Sequence, residues 1–210
     1  MEKTMKRISI IGCGPGAPEY MTPAALKAAM EADFLIGSRR LLAMVPAAKG
    51  ERFYTAGDKA AVIKLIEEKW AHGHVAALVS GDPGVSSLGR PLTQKFGLEN
   101  CRIIPGISSV QAAFAAIGQP WHDARIISAH KEDPADASPG ADRYAILLGR
   151  PEALKWAAAF ATGLPGEWDA WICENLTMPD EKITKMEPKE MAWADVASLS
   201  VALLVRRNHG

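Results

Sequence analysis

No apolar run in this chain approaches the roughly 20 residues that a membrane-spanning helix needs, so no such span is expected. It also lacks a basic block: 24 Lys and Arg offset 24 Asp and Glu, for a formal charge of zero. Nucleic acid is therefore not expected as the main partner, because phosphate binding needs a clustered positive field. Cysteine is sparse and odd in number, and Cys13, Cys101 and Cys173 are too scattered for a disulfide framework or a CxxC site. The five histidines show no metal-ligand spacing, and no metal is expected. With no Gly-x-Ser-x-Gly elbow, Walker pattern or His-Glu-x-x-His, the hydrolase, phosphoryl-transfer and metalloprotease readings lose first place. There is no internal repeat and no low-complexity tract. The opening Met1-Glu-Lys-Thr-Met-Lys-Arg7 leads straight into a strand and does not read as a signal sequence, which makes a cytoplasmic enzyme the expectation.

What is present is organised around Val75-Ala-Ala-Leu-Val-Ser-Gly-Asp-Pro-Gly-Val85. Apolar residues without alternation suit a parallel strand covered on both faces. Ser80, Gly81 and Asp82 then fall at its carboxyl end, where open α/β sheets bind ligands. Pro83 fixes its own φ and pushes Asp82 towards an extended conformation, while Gly81 and Gly84 leave backbone bare for a flat ligand. An ordinary strand-to-helix turn has the same composition.

Strands are expected at Lys6–Ile11, Asp33–Gly37, Arg52–Tyr54, Val75–Val79 and Cys101–Ile104. Helices are expected over Ala24–Ala32 (capped by Thr22, with Pro23 at its first position), Asp58–His72 and Leu88–Phe96. Another starts at Ser108-Ser109, where Ser108 and Gln111 have capping-box spacing. This alternation describes one parallel α/β domain over residues 1–118. After a linker at Gly118-Gln-Pro-Trp121 comes a second α/β series over residues 122–210. Its strands are Ala124–Ser128, Tyr144–Leu148, Asp169–Cys173, Ile183–Met186 and Leu199–Val205, its helix is Pro151–Ala161, and a Pro-rich loop spans His130–Arg143.

Gly12-x-Gly14-Pro15-Gly16 after a strand invites a dinucleotide-binding interpretation, but the acidic residue expected at the end of the second strand is replaced by Ser38-Arg39-Arg40. Arg39 and Arg40 are candidates for an NADP phosphate or for carboxylates of an acidic substrate; a solvated surface pair is their commoner fate. His130, at a strand's carboxyl end, is either a satisfied structural histidine or a proton carrier. The Gly12–Gly16 turn, the Ser80–Val85 turn, the Ser108–Ser109 helix start and Glu174-Asn175 all lie at strand carboxyl ends, which predicts a small-molecule crevice between the two domains.

In this order, Gly12-Cys-Gly-Pro-Gly16, Ser80-Gly-Asp-Pro83, Pro105-Gly-Ile-Ser108 and Glu174-Asn175 resemble the tetrapyrrole (corrin and porphyrin) methylases over nearly the whole chain. Ile36-Gly-Ser-Arg-Arg-Leu41, Ser87-Leu-Gly-Arg90, Ile104–Gln111 and Cys173-Glu-Asn-Leu176 are similar to the branch that methylates carbon 5 of a corrin precursor, cobalt-precorrin-7 or metal-free precorrin-7. The resemblance implies two α/β domains, S-adenosylmethionine as cofactor and a homodimer. Carried over by position, it implies cofactor contacts at Pro15, Ser80, Gly81, Asp82, Val85, Ser108, Ser109, Leu148 and Leu176. Arg39, Arg40 and Arg90 are the candidates for the substrate's carboxylates, and His130 and Glu174 for proton handling. Many relatives have Asp where this chain has Ala17, which removes that carboxylate from the reading. The alternatives are a tetrapyrrole methylase acting at another ring position and an NADP-dependent oxidoreductase.

Overall fold

The computed structural model describes residues 8–56, 58–135 and 137–207. Of the strand expected at Lys6–Ile11, Lys6 and Arg7 lie outside the described residues, as do the opening Met1–Met5. By packing, the chain divides after Ser108 into two units.

The first unit contains β1 (Ile8–Gly12), α1 (Pro23–Met30), β2 (Phe34–Gly37), α2 (Arg39–Ala43), β3 (Glu51–Tyr54), α3 (Lys59–Trp70), β4 (Val75–Val79), α4 (Gly89–Phe96) and β5 (Cys101–Ile104). The strands form one sheet in the order β3-β2-β4-β1-β5, and every pairing is parallel. Every residue of β1 and β4 is buried. Period-two geometry operates inside these uniformly apolar runs. Val75, Ala77 and Val79 join Val62 and Ile66 of α3 and Leu92 and Phe96 of α4 in one core. Ala76 and Leu78 belong to the opposite core, with Ala25, Ala28 and Ala29 of α1 and Leu41 and Leu42 of α2. The i, i+3, i+4 spacing of those alanines gives α1 a small-residue face to lay on the sheet. Its start is as the sequence predicts, with Thr22 Oγ1 accepting from Ala25 N at 3.1 Å. The one polar residue in β1, Ser9, is buried but satisfied, its hydroxyl 2.8 Å from His74 Nε2.

The second unit holds α5 (Ser109–Ala116), β6 (Arg125–Ser128), β7 (Arg143–Leu147), α6 (Glu152–Thr162), β8 (Trp168–Glu174), β9 (Lys182–Met186) and β10 (Ser200–Arg206). Helix α5, which the sequence groups with the first series, lies against β10. Sheet order is β6-β7-β10-β8-β9; only β6 and β7 are parallel, and β10 runs antiparallel to both its neighbours. Ala153, Leu154, Ala157, Ala158 and Ala161 bury one face of α6 on this sheet. Tyr144, fully buried, packs edge-on to Phe160 at 5.2 Å and against Trp168 at 5.5 Å, and its hydroxyl accepts from Ala141 N at 3.1 Å. The outer strand β9 carries Lys182 and Lys185, charges that discourage edge-to-edge pairing. Among the described residues, no helix is long and apolar enough to cross a membrane.

Asp169 ties the sheet's outer strands to the end of the chain. It accepts from Lys185 Nζ at 2.8 Å and from Arg207 Nε at 2.7 Å, and Arg207 also reaches Glu187 Oε1 at 2.9 Å. Burial works against ionisation of Asp169, but the hydrogen bonds and charges of Lys185 and Arg207 outweigh it and leave its carboxyl below the ordinary value. A depressed carboxyl stabilises the fold above its unfolded value, and that contribution disappears as pH falls through the folded value. Asp169→Asn is therefore expected to lower stability at pH 7 by about 1 kcal/mol or less, because the pairs are partly exposed. Urea melts should show the deficit shrinking once the pH drops below about 3.9, the ordinary aspartate value.

Candidate functional site

The site begins with three glycines. β4, β1 and β5 are neighbours, and the turns that leave them converge at the carboxyl edge of the first sheet. A Cβ on Gly106 would stand 2.3 Å from Gly81 O, and one on Gly12 would stand 2.6 Å from Gly106 N. No side chain fits where backbone meets backbone this closely. Gly14 and Gly81, both at positive φ (82° and 65°), close the contact as an isolated antiparallel bridge. Gly81 N donates to Gly14 O at 2.8 Å, and Gly14 N donates to Gly81 O at 3.2 Å.

Asp82 extends this lock. Its Oδ1 accepts from Gly84 N at 2.7 Å and its Oδ2 from Gly106 N at 3.1 Å, so one carboxylate joins the turn after β4 to the turn after β5. The next bend is held by Ser87 Oγ, which donates to Pro83 O at 2.8 Å and accepts from Gly89 N at 3.2 Å. Around this frame Pro15 is buried, Ser80 exposed, Val85 half-buried and Ser108 buried. Ser108 immediately precedes α5, which starts at Ser109 as the sequence predicts.

The two adjacent arginines separate. Ser38 caps the short helix α2 by accepting from Leu41 N at 3.4 Å, and the helical turn sends consecutive side chains about 100° apart. Arg40 turns inward: Nη2 donates to Ser80 Oγ at 2.9 Å and Nη1 to Gly16 O at 3.3 Å, which braces the turns after β4 and β1 together. Burial pulls its pKa below the ordinary arginine value, partly offset by nearby Cys13. Cys13 itself is pushed up to about 12 by burial, which makes it an inert core thiol. Arg39 turns outward, and its guanidinium carbon lies 4.8 Å from the centroid of the Tyr54 ring. Arg90 is exposed on the first turn of α4.

In the second unit, His130 lies just past β6 and Leu148 just past β7. His130 Nδ1 is 3.0 Å from Leu148 O. A carbonyl only accepts, so Nδ1 carries a proton, and in that neutral tautomer Nε2 would be the acceptor. The ring rests on Gly149, where a Cβ would clash with it. Leu148, buried itself, lines a cavity of about 160 Å³ with Leu154 and Val196. Glu174, at the end of β8, is 8% exposed; Ala197 N donates to its Oε1 at 3.0 Å, and Lys182 Nζ is 3.5 Å from Oε2. That carboxylate is engaged in anchoring the chain before β10. Buried Leu176 sits between Asn175 (φ 46°) and Thr177 (φ 68°), and for β-branched Thr177 this conformation is strained. Asn175 Nδ2 donates to Asp180 Oδ2 at 2.7 Å, and Thr177 N donates to Glu181 Oε2 at 2.5 Å, which holds the turn in place.

Sequence reasoning missed α2, the Arg40 brace, the Gly12–Gly106 contact and the Arg39–Tyr54 contact. The Ser38 cap ahead of Arg39-Arg40-Leu41-Leu42 was a usable signal for α2. No local pattern signals the other three.

The sequence model of the family described as Tetrapyrrole (Corrin/Porphyrin) Methylases matches residues 7–192. A cobalt-precorrin-7 C(5)-methyltransferase of Salmonella typhimurium is 42% identical over 123 residues; the match covers 59% of this chain and only 61% of that protein's length. A probable cobalt-precorrin-7 C(5)-methyltransferase of Methanocaldococcus jannaschii is 31% identical over 204 residues, 93% of this chain and 96% of that one. Among solved structures, a uroporphyrin-III C-methyltransferase from Thermus thermophilus complexed with S-adenosylhomocysteine superposes with a TM-score of 0.74. It is 22% identical, over 95% of this chain and 92% of that one, a likeness of fold.

Gly106→Ala is expected to destabilise the protein by about 2 kcal/mol or more, because both close neighbours are backbone and overpacking typically costs 1–3 kcal/mol. Gly163→Ala, whose added Cβ meets nothing closer than 3.5 Å, serves as the control. Chemical denaturation of the pair should show a clear drop for Gly106→Ala against a small change for Gly163→Ala.

Proposed function

Because the chain belongs to the tetrapyrrole (corrin/porphyrin) methylases, we propose that it is an S-adenosylmethionine-dependent C-methyltransferase acting on carbon 5 of cobalt-precorrin-7 or precorrin-7 in cobalamin biosynthesis. The chemistry that S-adenosylmethionine supplies is an electrophilic methyl group on a sulfonium. The observation that carries the reading is the bare-backbone frame at Gly12, Gly81 and Gly106, in a chain that matches the family from residue 7 to 192. This frame fits the cofactor. Its local cation, Arg40, is turned onto Gly16 O and Ser80 Oγ, and the carboxylate of Asp82 supplies the charge that a sulfonium favours.

In this reading Pro15, the backbone of Ser80, Gly81 and Asp82, and Val85, Ser108 and Ser109 hold the cofactor, and Leu148 and Leu176 are proposed for its nucleoside. Methyl transfer to carbon is an in-line displacement, in which alignment of donor and acceptor supplies roughly 7–11 kcal/mol of barrier reduction. The chain's contribution is a frame that does not give. Asp82 and Arg40 pin the turns, so the backbone groups facing a ligand are set before it arrives.

A corrin precursor is a conjugated ring edged with acetate and propionate groups. Arg39 and Arg90, both exposed, are the proposed receptors for them; Arg40 supports the turns beneath. Where the acceptor carbon must lose a proton, His130 and Glu174 are the proposed handlers, and the Nε2 acceptor of His130 suits that task better than the engaged carboxylate of Glu174. A homodimer working in the cytoplasm belongs to the same reading.

Calorimetry with S-adenosylhomocysteine and with NADP tests the cofactor: the first is expected to bind and the second not, and the reverse result would favour the oxidoreductase. Mass spectrometry and NMR of the product test the position, with one new methyl expected on carbon 5. Arg39→Ala should raise the substrate KM about tenfold or more, the usual worth of a charged hydrogen bond, without weakening S-adenosylhomocysteine binding. Equal loss of both affinities would remove Arg39 from substrate recognition.

A further inference from the structure

We infer that Tyr54 is a positioning residue for substrate recognition: its ring holds the Arg39 guanidinium as a fixed receptor for one carboxylate on the rim of a polycarboxylate ring substrate. The inference rests on the methyltransferase reading above and extends it to a residue that no sequence motif points to.

Three observations support it. Tyr54 is the last residue of β3 and pairs in register with Gly37, the last residue of β2, which places its ring at the sheet's carboxyl edge, two residues across from Arg39. Tyr54 is 53% exposed and belongs to neither core of the first unit. Arg39 lies over it at 4.8 Å and makes no ion pair with any described residue. Its neighbour Arg40 spends its donors on Gly16 O and Ser80 Oγ. The two cations of this edge thus have separate assignments, Arg40 to the frame and Arg39 to what arrives from solvent.

The ring face beneath Arg39 defines what it can do. A guanidinium lying on an aromatic face keeps its N–H donors in the plane of the fork, where they match the two oxygens of a carboxylate. A free arginine gives up considerable rotamer freedom when it binds an anion; one already ordered on a ring gives up less. Exposed above the ring, Arg39 is open to a carboxylate carried on a flexible acetate or propionate arm. Tyr54 supplies the ring face alone, and its hydroxyl has no part in this role.

The test is steady-state methylation of cobalt-precorrin-7 with Tyr54→Ala, Tyr54→Phe, Arg39→Ala and the Arg39→Ala/Tyr54→Ala double variant, alongside calorimetry with S-adenosylhomocysteine. Tyr54→Ala should raise KM about threefold, the scale of one exposed cation–π contact, with kcat and S-adenosylhomocysteine affinity held. Tyr54→Phe should restore the KM lost in Tyr54→Ala. The double variant should be no worse than Arg39→Ala, since Tyr54 acts through that side chain. An unchanged KM in Tyr54→Ala, a parallel loss of cofactor affinity, or additive losses in the double variant would overturn the inference. Wild-type turnover of a different corrin or porphyrin precursor would overturn the carbon 5 assignment while the Tyr54 ratio is read on that precursor; turnover of none would overturn both.

Discussion

Where β4, β1 and β5 end, three backbones come so close that nothing larger than hydrogen can stand on Gly12 or Gly106. Adjacent parallel strands run about 4.8 Å apart, and their exits normally diverge into separate turns. Here they stay in contact, and the contact is stable because its polar groups answer one another. Gly14 and Gly81 exchange hydrogen bonds, and Asp82 accepts from Gly84 and Gly106. Arg40 collects Gly16 O and Ser80 Oγ. A carboxyl edge built in this way has little freedom to relax around a ligand. That suits a reaction whose rate depends on the distance and angle between two carbons and a sulfur more than on acid or base strength.

The second unit solves a different packing problem. Its sheet is mixed, with the last strand of the chain inserted between β7 and β8. Its functional candidates come from the loops that follow β6, β7 and β8. His130 braces the end of β7 through Leu148 O, and Glu174 anchors the chain before β10 through Ala197 N. The turn around Leu176 has Asn175 and Thr177 in a left-handed conformation, which the carboxylates of Asp180 and Glu181 hold in place. Strain of this kind persists only where the surroundings over-determine it.

The pair Arg39-Arg40 shows where one-dimensional reading stops. As neighbours in sequence they look like one positive patch with one job. Once Ser38 starts a helix, about 100° of rotation separates them, so one guanidinium is held, half-buried, on Gly16 and Ser80 and the other lies over Tyr54. A five-residue helix is too short to show its period, and only its cap announces it. The grouping of α5 has a similar cause. Its sequence says helix and gives its start, but which sheet it serves depends on β10, more than eighty residues later.

The sequence by itself determined the strands and every α-helix but α2, because each of these depends on local periodicity, a cap or a proline whose effects span a few residues. It also determined the family, because Gly12–Gly16, Ser80–Pro83, Pro105–Ser108 and Glu174-Asn175 occur in order across the chain. The tertiary structure decided what those blocks do for one another. Gly12 and Gly106 are 94 positions apart in the numbering, and their need to be glycine arises only when β1 and β5 lie side by side. The division between Arg39 and Arg40 and the engagement of Glu174 were decided in the same way, because hydrogen bonds and backbone contacts between distant segments carry no periodicity that a linear sequence can display.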